Sequence, residues 1–215
     1  MKLAVLSESP ADEAALRILA EALLGATSEV VGLDVFQYRS GWQAVLKIMP
    51  LVMRHLHYQT DADGLLVSLD SDKSPIHEAA HEAAGQAVKH CRICSLRDIL
   101  RTTQAQLKTR GDGSRLKVAI GLAVPQIEAW YRCGWDSTVT EAAWRVGLRS
   151  GKFPFTSDSL KRDVYGSLLS GLELETLRAI EEARRLATCI EELETWFPAG
   201  FGYLSREVRT WRTTA

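Results

Sequence analysis

The chain has 215 residues, 46% of them hydrophobic and 25% charged, so it is long enough to bury a core and composed like an ordinary soluble globular protein. A net charge of −1 excludes a global electrostatic footprint for nucleic acid, and four cysteines in a chain this long exclude a disulfide scaffold. No apolar run approaches the ~20 residues that span a bilayer, and the N-terminus lacks a basic region and a small-residue cleavage site, so a cytoplasmic location is expected.

The first unit reads as strand then helix. Leu3 to Leu6 is a buried strand. Ser9 is a good N-cap, Pro10 suits the first helical position and Asp12 falls at the capping-box position. Ala15, Ile18, Leu19, Ala22 and Leu23 repeat with helical spacing, and Gly25 suits the stop. Glu29 to Phe36 reads as a second strand, and Gly41 to Tyr58 as a helix that Pro50 kinks or breaks. Gly64 to Leu69 repeats the grammar: a strand runs into acids, then Ser74-Pro75, then a helix through about His90. Arg92 to Leu96 reads as a short strand, residues 108–115 as a polar loop and Lys117 to Val124 as a further strand. Beyond Trp135 the pattern turns helical, over Thr140 to Leu148, Ser157 to Leu169 and Leu172 to Trp196. The sequence therefore predicts an α/β fold: an open, mostly parallel sheet flanked by helices over residues 1–135, with a helical extension, 136–215, packed on it.

Three acids stand at predicted strand ends: Glu8, Asp70 and Asp72. In open α/β sheets, ligands bind beyond the carboxyl ends of the strands. Carboxylates that converge there repel one another unless a cation sits between them. A hard divalent ion that takes oxygen ligands, Mg²⁺ or Mn²⁺, answers that requirement.

Glu8-Ser9-Pro10-Ala11-Asp12, directly after a strand, resembles the first Toprim motif, E-G-x-x-D. Asp70-Ser71-Asp72 resembles its D-x-D motif. Ala123 to Trp130 resembles the (A/V)-x-x-x-E-x-W signature of a small bacterial Toprim-like family often encoded beside an ABC-type ATPase. Ser9 replaces the usual glycine, and Arg132-Cys133-Gly134 stands where that family often carries an Asp. The resemblance covers residues 1–135 and implies a Toprim/Rossmann-like sheet. It also implies a Mg²⁺- or Mn²⁺-dependent nuclease of bacterial anti-phage defence, with Glu8, Asp70 and Asp72 as metal ligands and Glu128 assisting catalysis. Nucleic acid and an ATPase partner protein follow from it as partners, with a homo-oligomer left open. The alternative reading is a non-catalytic, Toprim-derived subunit of an ATPase complex.

Eight basic residues lie between Lys89 and Lys117 against Asp98 and Asp112. Arg92, Arg97, Arg101, Lys108 and Arg110, with Lys73, are the candidates for phosphate contacts; a solvated basic face is the competing reading. His77-Glu78-Ala79-Ala80-His81 matches H-E-x-x-H, which on a helix places two histidines on one face with the glutamate as base, a zinc peptidase pattern. Cys91 and Cys94 make a mixed four-ligand site with His77 and His81 conceivable. On a strand, however, the two cysteines would point to opposite faces. Six tryptophans are expected mostly in the core, with an exposed subset able to stack bases.

Overall fold

A computed structural model describes residues 1–36, 41–83, 88 and 90–212, with the side chains of Glu82 and Ala83 not described. Four strands, β1 (Lys2–Leu6), β2 (Glu29–Val30), β3 (Gly64–Asp70) and β4 (Lys117–Ala123), form one all-parallel sheet in the order β2-β1-β3-β4. β3 is buried at its first six residues, and β4 from its second onward. Such continuous apolar runs belong to a parallel sheet covered on both faces.

Helix α1 (Pro10–Leu24) begins as its sequence predicts. The Ser9 hydroxyl accepts from the Asp12 N–H at 3.2 Å, and Gly25 closes the helix at φ 70°, a left-handed cap that suits glycine. α2 (Trp42–Gln59) contains Pro50 without ending there. The second strand is confined to two exposed residues, Glu29 and Val30, and its last contact with β1 is the Val31 N–H donating to the Leu3 carbonyl at 2.8 Å. Where the sequence predicts a helix after Ser74-Pro75 through about His90, the described residues form α3 (Ala79–Ala83), with His77 before it; residues 84–87 and 89 of that expected helix lie outside the described residues. The predicted strand at Arg92 to Leu96 is instead the start of helix α4 (Arg92–Gln104). A short apolar run suits either element, and burial of Ile93, Cys94 and Leu96 together fits a helix docked on its first turns.

After β4 come α5 (Ile127–Tyr131), α6 (Glu141–Ser150), α7 (Ser157–Tyr165), α8 (Leu172–Ala187), α9 (Ile190–Trp196) and α10 (Phe201–Arg209). The long helix expected to Trp196 is thus two helices, broken at Thr188-Cys189. α2 and α4 cover one face of the sheet; α1 and α10 cover the other, with α8 packed on α1. One core cluster runs from Leu3 to Trp211, so the C-terminal helices share the sheet's interior. Buried Glu141 fastens them: its carboxylate accepts from the N–H groups of Ala199 and Gly200, both at 3.0 Å. At Gly200 the backbone meets β4 so closely that a Cβ would lie 2.2 Å from the Leu122 carbonyl oxygen. Among the described residues no helix is long and apolar enough to cross a membrane.

Candidate active site at the strand ends

The strand order reverses between β1 and β3, and this switch point is where doubly wound sheets open a crevice for ligands. β1 delivers Glu8 there, β3 ends on Asp70, and β4 leads through Pro125 to Glu128 on α5. Glu8 accepts a hydrogen bond from the Asp70 N–H at 2.9 Å, and Asp70 accepts from the Ile127 N–H at 3.1 Å. These two bonds tie the three strand ends together. Ser71 and Asp72 N–H groups both donate to the Pro125 carbonyl at 2.8 Å, closing the β3 loop against the β4 loop.

The sequence reading missed one member, Asp12. Ser9 does the capping, and the Asp12 carboxyl faces the other acids. Burial, then the charges of Glu128 and Glu8, push it up to about 7, against a hydrogen bond with Ser9. Asp70 is raised well above the usual carboxylate range by burial, then by Asp12, Glu128 and Glu8. Glu8 is raised by burial, offset by backbone hydrogen bonds from Asp70 and Trp42 and by Arg92. Glu128 is raised by burial, opposed by Lys161 and by a hydrogen bond with Tyr165. Tyr131 is buried beside them, and its hydroxyl has no hydrogen-bond partner among the described residues. The signal for Asp12 lay in its place as the last letter of the E-x-x-x-D segment.

Asp72 lies at the rim of these four, and its charge raises both Glu8 and Asp70. It is exposed, at φ 47°, a left-handed conformation that Asp tolerates better than most residues. Its carboxylate pairs with buried Arg92 at 2.8 Å, and its carbonyl accepts from Trp144 Nε1 at 3.1 Å. Arg92 also donates to the Asp70 carbonyl and stacks over Trp42, 4.6 Å from the ring centroid. Next to this pair opens a cavity of about 790 Å³ walled by Trp42, Trp144, Phe153 and Phe155, with Lys73 and Arg92 at its edge. Trp144 stacks on Phe155 with ring centroids 5.3 Å apart and planes 29° from parallel, and exposed Lys73 sits 5.6 Å over Phe153. Its aromatic planes are of the kind on which a base stacks, and the polar lining sets Lys73 and Arg92 beside the acids Asp72 and Asp158.

The basic stretch is split between the two ends of the sheet. Arg92 and Arg97 lie at the start of α4, on the crevice side, with Arg97 over Tyr203. Arg101 pairs with Asp98 at 2.6 Å. Lys108 and Arg110 lie at the opposite end, where Arg110 donates to the Leu56 and His57 carbonyls and the Lys108 carbonyl meets His57. Lys89 lies outside the described residues.

A second cluster lies behind the Asp72–Arg92 pair. His77, His81, Cys91 and Cys94 hold their ligand atoms within 4.8 Å of one another, the one group of three or more His, Cys, Asp or Glu side chains so arranged among the described residues. The cysteines meet because Cys91 caps α4 and Cys94 lies in its first turn, which corrects the opposite-face argument made from a strand. The peptidase arrangement is absent: His77 precedes α3, and Glu78 is held by Arg145 at 3.0 Å, which also reaches Glu141. Redox exchange is disfavoured as well. Cys91 is fully buried and its thiol is pushed up to about 11 by burial, whereas exchange uses accessible, low-pKa thiolates.

Comparison with known proteins gives no matching family model, no matching curated protein and no matching solved structure.

Proposed function

We propose that the chain is a divalent-metal-dependent hydrolase of phosphodiester bonds in nucleic acid. One observation carries this reading: Glu8, Asp12, Asp70 and Glu128 gather at the switch point, burial raises the proton affinity of each, and the charges of Glu8 and Glu128 raise Asp12 and Asp70 further. Carboxylates so crowded gain most from a shared hard cation, and Mg²⁺ or Mn²⁺ bound by one or two of them keeps positions for water and phosphate. Glu8, Asp12 and Asp70 would hold the ion. Such an ion supplies Lewis acidity at phosphorus and a water of lowered pKa. Glu128, its proton affinity raised by burial, suits a carboxylate that accepts the proton of the attacking water. Arg92 holds Asp72 and the Asp70 carbonyl in place, while the aromatic cavity takes a base beside the cut. The resemblance to Toprim domains points the same way, and a role in anti-phage defence rests on that resemblance alone.

The test is cleavage of a panel of single- and double-stranded DNA and RNA in Mg²⁺ and Mn²⁺, with Asp70→Asn beside the wild type. Metal-dependent cutting that Asp70→Asn abolishes supports the reading. Equal cutting by both proteins removes it.

A second reading, a subunit that works on an ATPase partner, is favoured by apolar side chains left in solvent around the start of α8: Leu169 at 94% exposure, Leu172 at 52% and Leu177 at 55%. Monomeric proteins leave few such patches uncovered. Co-purification with the neighbouring gene product, and loss of it in Leu169→Glu/Leu177→Glu, would separate the two readings; the same variant reports a homo-oligomer by its elution volume.

A further inference from the structure

We propose that His77, His81, Cys91 and Cys94 form a closed Zn²⁺ centre that fastens the segment after Asp70-Ser71-Asp72 to the start of α4. Two imidazoles and two thiolates are a borderline-soft, four-ligand set, and in tetrahedral arrangement such a set points to zinc rather than to Mg²⁺ or Ca²⁺. The distances fit. With Zn–S near 2.3 Å and Zn–N near 2.0–2.1 Å, the S···N edge of a tetrahedron is about 3.6 Å. His77 Nδ1 lies 3.7 Å from Cys91 Sγ and 3.6 Å from Cys94 Sγ, and His81 Nδ1 lies 3.8 Å from Cys94 Sγ.

Hydrogen bonding would have to divide one ring nitrogen between two sulfurs. A ring nitrogen has one lone pair, yet His77 Nδ1 faces two sulfurs at nearly equal distance. A cation at the centre satisfies all four groups at once. Three of the ligands are buried: Cys91 at 0% exposure, Cys94 at 6% and His77 at 6%. The ring of His77 is further held by Tyr203 of α10, edge on at 5.6 Å. Four protein ligands leave no position for a substrate water, so the centre is structural.

Its place in the chain gives the reason for it. Between β3 and α4 the short turn α3 is the one helix among the described residues, and the four ligands lie on either side of and within it. Cys91 directly precedes Arg92, and His77 follows Asp72 by a few residues. The ion would therefore clamp together the two segments that meet in the Asp72–Arg92 pair.

The full chain, expressed in zinc-supplemented medium and freed of any histidine tag, is passed through gel filtration and its metal measured by mass spectrometry. The proposal predicts about one zinc per chain. It predicts near-zero zinc in the Cys91→Ser/Cys94→Ser double variant and undiminished zinc in Glu8→Gln, so the centre is tested apart from hydrolysis. Replacement by Co²⁺ in the wild type should give the intense visible bands of a tetrahedral ion with thiolate-to-metal charge transfer; this reading stands even if the double variant fails to fold. Zinc-free wild-type protein, with the cysteines free or joined in a disulfide, would overturn the proposal. So would zinc retained by the double variant, or a cobalt spectrum without thiolate bands.

Discussion

The two clusters at the carboxyl end of the sheet are built on opposite principles, though Cys91 and Arg92 make them neighbours in the chain. The acidic cluster is all oxygen, drawn from three strand ends and the first turn of α1, and it lies at a crevice. Its members repel one another, and part of their charge is already spoken for by Ser9, Lys161 and backbone N–H groups. The His/Cys cluster is nitrogen and sulfur, mostly buried, with its ligand atoms drawn to one point. A site meant for exchange of substrate must leave its ion unsatisfied by protein, whereas a site that holds a fold together must satisfy it fully.

The comparison breaks most decisively on activity. Asp70→Asn keeps the side chain's size and its place as acceptor from Ile127, and it should lower metal-dependent cleavage by about 100-fold or more. Its zinc content should not change. A cleavage rate within a few-fold of wild type would mean that the chemistry lies elsewhere.

The next effect is on stability. Loss of a buried ligand in Cys94→Ser should lower Tm by about 10 °C, roughly 3 kcal/mol for a chain of this length, if the ion contributes folding energy. A Tm within a degree or two of wild type would make the cluster incidental. Gly200→Ala serves as a control on a third region: its methyl would press on the Leu122 carbonyl and cost about 1–3 kcal/mol of overpacking, with zinc and Mn²⁺ binding intact. Denaturant melts followed by tryptophan fluorescence would read both variants.

A smaller effect lies in pH. Asp12, raised to about 7 in the fold from an ordinary value near 3.8, binds its proton more tightly folded than unfolded. Its contribution to stability is therefore full at acid pH and is lost as pH rises from about 4 to 7. Asp12→Asn should flatten that decline and stabilise the protein at pH 8 in Mg²⁺-free buffer, by about 1–3 kcal/mol. Added Mg²⁺ should narrow the difference, because it favours the ionised wild-type group. A variant no more stable than wild type at pH 8 would show that Asp12 is not crowded by its neighbours.

How far each cluster could be read from sequence follows from its construction. The positions of Glu8 and Asp70 were legible because an apolar run fixes where a strand ends, and the parallel sheet brings both ends to one side. Asp12 was not, since a carboxylate three residues after a serine cap has a sufficient local explanation, and only the tertiary approach of Glu128 gives it another. Asp72 was placed correctly on the loop, but nothing in the sequence ties it to Arg92, twenty residues on. The His/Cys group was hidden by one wrong period. Read as a strand, Arg92 to Leu96 separates the cysteines; read as the first turns of a helix continuing to Gln104, it joins them. The α/β class and the helical C-terminal half were legible from patterning, whereas the break at Thr188-Cys189 carries no glycine or proline to mark it.

The account turns on whether the strand-end acids hold a divalent ion, and titration of the zinc-loaded protein with Mn²⁺, followed by electron paramagnetic resonance of the free ion, measures that without knowledge of the substrate. The predicted result is saturable binding of one or two Mn²⁺ per chain, competed by Mg²⁺ and weakened about tenfold or more in Asp70→Asn. Wild-type protein that leaves all the Mn²⁺ free at millimolar concentration, or an Asp70→Asn variant that binds as well as wild type, would contradict it.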